Sequence, residues 1–156
     1  MTPTEVADRI EIDDLLTRYA TAVDARDWAL YESCFTPDAY IDYTASGGIK
    51  GTLTEVRQWL AEVMPVFVMT QHLVTNRRVT LNGGTATSRS YFFNPLGLPD
   101  TKRGMTLYFD GGYYNDNLVR TEDGWRISQR IEEAAYSTRL NRLVVDGAWR
   151  RAKTTT

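Results

Sequence analysis

The sequence predicts an α+β domain in which three N-terminal helices pack on a strongly curved, mainly antiparallel sheet that encloses a pocket. Three observations carry this. Apolar residues recur at helical spacing up to about residue 65, β-branched and aromatic runs split by two hairpin turns come next, and a Gly-Gly pair interrupts one of those runs. Helices then strands, without alternation, set this class apart from βαβ folds.

Val6, Ile10, Leu16, Tyr19 and Val23 recur at helical spacing, with Thr4 as an N-cap after Pro3 and Glu5 and Asp8 suiting the first turn. The first helix is expected over 4–25. Asp27 caps a second, short helix through Phe35, stopped at Thr36-Pro37-Asp38 because a residue before proline is pushed out of the helical region. A strand over 39–44 leads to a turn at Ser46-Gly47-Gly48. Thr52 and Glu55 have capping-box spacing ahead of Val56, Trp59, Leu60 and Val63, so a third helix ends near Pro65. Strands over 71–81 and 85–93 flank the turn Asn82-Gly83-Gly84. The segment 94–103, with Pro95, Gly97 and Pro99, reads as a longer connection. Strands over 105–120 and 125–134 flank the turn 121–124. Gly111-Gly112 inside a strand suggests a bulge that curls the sheet until its concave face closes over a cavity. Arg150, Arg151 and Lys153 read as a solvated tail. No linker or repeat appears, so 1–156 is read as a single domain.

Composition narrows the function. With 18 Lys or Arg against 20 Asp or Glu the net charge is −2, which offers no footprint for nucleic acid or an anionic membrane surface. The chain has 42% hydrophobic and 24% charged residues, enough for a packed core, but no apolar run that spans a bilayer. No signal-peptide pattern opens the sequence, so a cytoplasmic protein is expected. One His and one Cys cannot form a multi-ligand zinc site, and no phosphate-binding glycine loop, nucleophile elbow or dinucleotide fingerprint occurs. Neither metal nor cofactor is expected, and proton transfer is the chemistry left open.

His72 is the one ready proton carrier at neutral pH, although a lone histidine is more often structural. A base needs a carboxylate to set its tautomer, and Asp24 stands near a helix C-terminus, where the macrodipole disfavours an acid. Spacing alone reads Asp24 as a turn acid. Tyr43 and Asn115 offer hydrogen bonds to a substrate oxygen, but with 9 Tyr in the chain most are packing residues. Trp28, Trp59, Phe92 and Tyr91 are core first and pocket lining second.

Four stretches carry a resemblance: Tyr19 to Trp28 (YATAVDARDW), Phe35 to Tyr43 (FTPDAYIDY), Thr70 to Asn76 (TQHLVTN) and Asp123 to Arg130 (DGWRISQR). Together they are similar to the SnoaL-like, scytalone dehydratase-like group of the NTF2-like superfamily. The resemblance implies an NTF2-like cone with His72 as base, Asp24 as its partner and Tyr43 as a hydrogen-bond donor. It also implies differences. Val23 holds the position of a second catalytic tyrosine, Asn94 or Pro95 that of a second histidine, and Tyr113-Tyr114-Asn115 that of a Ser-x-Asn motif.

On these grounds the chain is expected to be a cofactor-independent lyase or isomerase, of dehydratase or cyclase type, acting next to a carbonyl in an apolar ring-containing small molecule. The catalytic set is His72, Asp24 and Tyr43; the substrate-binding set is Asn115, Tyr113, Trp28, Phe92 and Leu73. The alternative is a non-catalytic ligand-binding module or the small subunit of an oxygenase. A homo-oligomer, dimer or trimer, is expected because a half-covered sheet leaves an apolar face to bury.

Overall fold

Thr2, two residues earlier than expected, caps the first helix: its hydroxyl accepts from the Glu5 N–H at 3.2 Å, and the Glu5 carboxylate accepts from the Thr2 N–H at 2.6 Å. This capping box, with Pro3 at the first helical position, outcompetes Thr4 as a start. The computed structural model describes residues 1–102 and 104–140. The elements run α1 (Pro3–Ala25), α2 (Trp28–Glu32), β1 (Phe35–Asp42), a 3₁₀ turn (Thr44–Ser46), β2 (Lys50–Thr52) and α3 (Leu53–Val63). A second 3₁₀ turn (Met64–Val66) leads to β3 (Met69–Thr70), β4 (Leu73–Asn82), β5 (Thr85–Asp100), β6 (Gly104–Thr121) and β7 (Gly124–Leu140). The residues read as a basic tail lie outside the described residues.

One 7-stranded sheet is ordered β2-β1-β7-β6-β5-β3, with β4 also on β5. Among the described residues only β1 and β7 pair in parallel, and the other pairs are antiparallel. The helices supply Ile12, Leu15, Leu16, Tyr19, Tyr31, Val56 and Leu60 to a core completed by Phe35, Ile41, Leu118, Trp125 and Ile127 from the sheet. Val6 and Ile10 do not join it. They are 41% and 59% exposed, because the buried face of α1 runs instead through Asp8, which accepts from the Trp125 indole at 3.2 Å.

Three expected boundaries move. The second helix stops at Glu32, since the Cys34 carbonyl already accepts from Ile127 N–H at 2.9 Å and draws Phe35 into the sheet. Pro37 then sits in the register shift between Phe35 and Tyr40, where the missing N–H breaks no ladder bond. The expected connection 94–103 is mostly strand: β5 and β6 stay paired from Asn94↔Asp110 to Asp100↔Gly104. Pro95 is tolerated there because it serves the sheet through its carbonyl, which accepts from Gln71 N–H at 3.1 Å.

Two bulges bend the β6–β7 ladder. Register slips between Gly111 and Gly112 on β6, and between Asn117 and Leu118, opposite Ser128 on β7. A Cβ on Gly112 would run into the Glu133 carbonyl, so that position requires glycine for close approach, whereas one on Gly111 would displace the half-exposed Tyr136 ring. Before Ser128 the buried residues of β7 are Trp125 and Ile127; after it they are Arg130 and Glu132. The extra residue thus turns two charged side chains into the interior.

Candidate active site

Helix α1 ends where Arg26 takes a left-handed conformation (φ 56°) and returns its N–H to the carbonyls of Ala22 and Val23. Its guanidinium donates to the carbonyls of Met64 at 3.2 Å and Phe67 at 2.7 Å, binding the helix end to the segment that leads into β3. His72 lies in the break between β3 and β4 rather than inside a strand. Asp24 fixes it twice: Oδ2 accepts from the His72 backbone N–H at 2.8 Å and Oδ1 engages Nδ1 at 2.6 Å. Burial raises the Asp24 pKa, but the hydrogen bonds from the His72 ring and backbone outweigh it and hold the carboxyl below its usual range. An ionised carboxylate only accepts, so Nδ1 carries the proton and Nε2 is left as the basic nitrogen.

His72 lines a cavity of about 290 Å³ between the helices and the concave face. Val23, Trp59, Leu60, Val63, Phe67 and Leu96 make its apolar wall; Tyr43, Ser46, Asn94, Asp110 and Glu132 are polar groups that reach it. The Oδ1 of Asn94 is buried without a protein partner and is therefore an acceptor open to a ligand hydroxyl. Tyr43 lies at the centre of a phenol chain, its hydroxyl 2.9 Å from that of Tyr19 and 3.4 Å from that of Tyr31. Burial raises the pKa of all three, so they remain neutral hydrogen-bonding groups.

Behind the phenols Arg130 is fully buried. Its Nε and Nη2 donate to the Asp116 carboxylate at 2.7 and 2.8 Å, and its guanidinium lies 3.9 Å from the Tyr19 ring centroid and 4.3 Å from that of Tyr114. The pair is charge-neutral and props the tyrosines from below. Glu132 accepts from the Ser46 hydroxyl at 2.7 Å. Burial lifts its carboxyl from the usual 4.5 to about 7.

The expected substrate-binding residues are mostly elsewhere. Tyr113 and Asn115 lie on the opposite face of β6 from Tyr114: Asn115 accepts from Arg89 at 2.5 Å, and Arg89 stacks at 4.0 Å on the Tyr113 ring. Strand alternation forces this, since Tyr114 is the residue that points in. Leu73 opens β4 and is 37% exposed. Trp28 packs edge-on against Tyr31, and Phe92 stacks on Tyr114 behind the wall instead of lining it. Asp110, Glu132 and Arg130 escape sequence reasoning, and Asn94 enters it through the resemblance alone. Asn94 lies where the sequence reads as a loop and Asp110 beside the glycine bulge, and the β7 pair is turned inward only by the Ser128 bulge. Among the described residues no group of three His, Cys, Asp or Glu gathers as a metal site, and no helix is long and apolar enough to cross a membrane.

A helix-capped, strongly curved sheet closing on a cavity lined by an imidazole held by a carboxylate defines an NTF2-like cone. Residues 4–131 match the SnoaL-like domain, and the chain belongs to that family. An uncharacterized protein of Mycobacterium tuberculosis is 42% identical over 132 residues, 85% of this chain and 88% of its own. Among solved structures, a proposed aromatic ring hydroxylase from Novosphingobium aromaticivorans is 27% identical with a TM-score of 0.78, covering 90% of this chain and 96% of that one. A proposed scytalone dehydratase from the same organism is similar in fold (18% identity, TM-score 0.79, 92% and 95% covered). So is a hexachlorocyclohexane dehydrochlorinase from Novosphingobium barchaimii (20%, 0.76, 91% and 96%).

Proposed function

We propose that this chain is a cofactor-independent lyase or isomerase that removes a proton next to a carbonyl in an apolar, ring-containing small molecule. The observation that carries the reading is the double contact of Asp24 with His72 on the cavity wall, 2.6 Å to the ring and 2.8 Å to the backbone. Asp24 keeps the proton on Nδ1 and stabilises the imidazolium; Nε2 is the base; the Tyr43 hydroxyl donates to the developing enolate oxygen. Asn115, on the outer face, has no part in this scheme. With a leaving group β to the carbonyl the enolate expels it; without one, reprotonation at another carbon isomerises the ligand or closes a ring. The dehydratase and dehydrochlorinase among the fold neighbours support elimination.

The test is deuterium exchange at the carbon next to the carbonyl in a panel of cyclic ketones, followed by NMR. Wild type exchanges; His72→Ala does not, while it still binds the ketones by calorimetry. Exchange at the wild-type rate in His72→Ala would falsify the mechanism. The similarity to a proposed aromatic ring hydroxylase favours a second reading, a binding module or oxygenase small subunit. Binding without exchange in the wild type would support that second reading.

A further inference from the structure

Glu132 has no task in the dyad scheme, yet it is a 9%-exposed carboxyl on the wall of the same cavity. Ser46 Oγ donates to its Oε1 at 2.7 Å, and among the described residues Oε2 has no hydrogen-bond partner. In the sheet, β6 and β5 lie between Glu132 on β7 and the β3–β4 break that holds His72. Both residues nevertheless line the one cavity of about 290 Å³.

Resting on the elimination reading above, we propose that Glu132 is the general acid that protonates a departing oxygen, and that the substrate class is therefore β-hydroxy carbonyl compounds with a poor leaving group. His72 Nε2 takes the proton from the carbon next to the carbonyl, and the electrons of that bond form the new C=C bond. The bond from carbon to the hydroxyl oxygen breaks, and the Glu132 proton joins that oxygen to release water. Carboxylate and imidazolium remain, and proton exchange with solvent restores both. Burial keeps Glu132 protonated up to about pH 7. Its neighbours act in both directions: Ser46 on the 3₁₀ turn and Arg130 on β7 lower the pKa, whereas Asp110 on β6 and Asp42 on β1 raise it. Tyr19 on α1 and Tyr114 on β6 also face it and are neutral.

An acid is needed to expel hydroxide but not p-nitrophenolate. The experiment compares elimination from β-hydroxycyclohexanone and β-(p-nitrophenoxy)cyclohexanone. Glu132→Gln, which keeps the shape and the Ser46 contact, should lower water elimination about 10²- to 10⁴-fold relative to nitrophenolate elimination. Ser46→Ala, which removes a hydrogen bond to the ionised form, should move the alkaline limb of water elimination to higher pH. An infrared band of a protonated carboxyl at about pH 6, present in wild type and missing in Glu132→Gln, is expected as well. Equal losses on both ketones, an unmoved limb in Ser46→Ala, or no such band would overturn the acid role. A wild type that eliminates from neither ketone but exchanges deuterium overturns the acid role and leaves the dyad standing; one that does neither overturns both.

Discussion

A carboxylate in the last turn of a helix opposes the helix dipole, and Asp24 stays there because two N–H groups of His72 offset the cost. Its folded pKa is depressed, so its contribution to stability is full above the usual 3.8 and is lost as pH falls through the lower folded value. Glu132 has the opposite sign. Its folded pKa of about 7 lies above the usual 4.5, so its contribution is full below pH 4.5 and is lost as pH rises through 7. Glu132→Gln should therefore gain on the order of 3 kcal/mol relative to wild type between about pH 4 and pH 8, read from urea midpoints at each pH. A flat difference between the two curves would contradict the raised pKa. Arg130 makes a harsher case. Arg130→Met leaves the buried Asp116 carboxyl without its partner, and a loss of about 3–5 kcal/mol is expected in thermal or urea unfolding. The double change with Asp116→Leu should recover much of it. At this scale the sequence is half legible. His72 stands out as the single histidine, and its juxtaposition with Asp24 comes from family likeness. Nothing in residues 125–134 shows which of them point inward.

That blindness belongs to the elements. Period-two alternation assigns faces only while the register holds, and β7 changes phase at Ser128, whose hydroxyl donates to the Asn117 carbonyl at 3.1 Å across the slip. With unbroken alternation, Ile127 in would mean Gln129 and Ile131 in; the bulge puts Arg130 and Glu132 there instead. Strand bounds fail for a related reason. Proline and glycine around 95–99 read as a loop, although β5 uses Pro95 through its carbonyl alone. The Gly111-Gly112 pair, by contrast, is legible as a bend because only glycine survives the close approach at Gly112. Gly112→Ala should overlap the Glu133 carbonyl and crowd Phe92, which stacks on cavity-lining Tyr114. A loss of about 1–3 kcal/mol is expected, together with weaker ketone binding. An unchanged melting temperature would mean that β6 relaxes freely at the bulge.

For the whole molecule, the order of helices before strands makes the α+β class readable, since segregated elements leave a sheet with one covered face. The uncovered face carries exposed apolar side chains. Tyr91, Phe93, Ile131 and Tyr136 are 46%, 37%, 41% and 49% exposed, and they come from β5 and β7, with Phe109 of the intervening β6 stacked on Phe93. Cross-strand register gathers them: Tyr91 opposes Tyr113, and Phe93 opposes Gly111, over which the Tyr136 ring lies. Aromatic rows of this kind on a convex face are sparsely tolerated by monomers and bury well against a copy of themselves. We expect self-association through this face, so light scattering at micromolar concentration should give a mass at least twice 17.8 kDa. Phe93→Asp combined with Tyr136→Arg places charges at the centre of the patch and should return the mass to that of one chain, with circular dichroism unchanged. The cavity opens between helices and sheet on the other side of β5 and β6, so ketone exchange should persist in that monomer if the site is built from one chain. A wild type that scatters as a single chain would remove the interface, while loss of exchange on dissociation would show that a neighbouring copy completes the cavity.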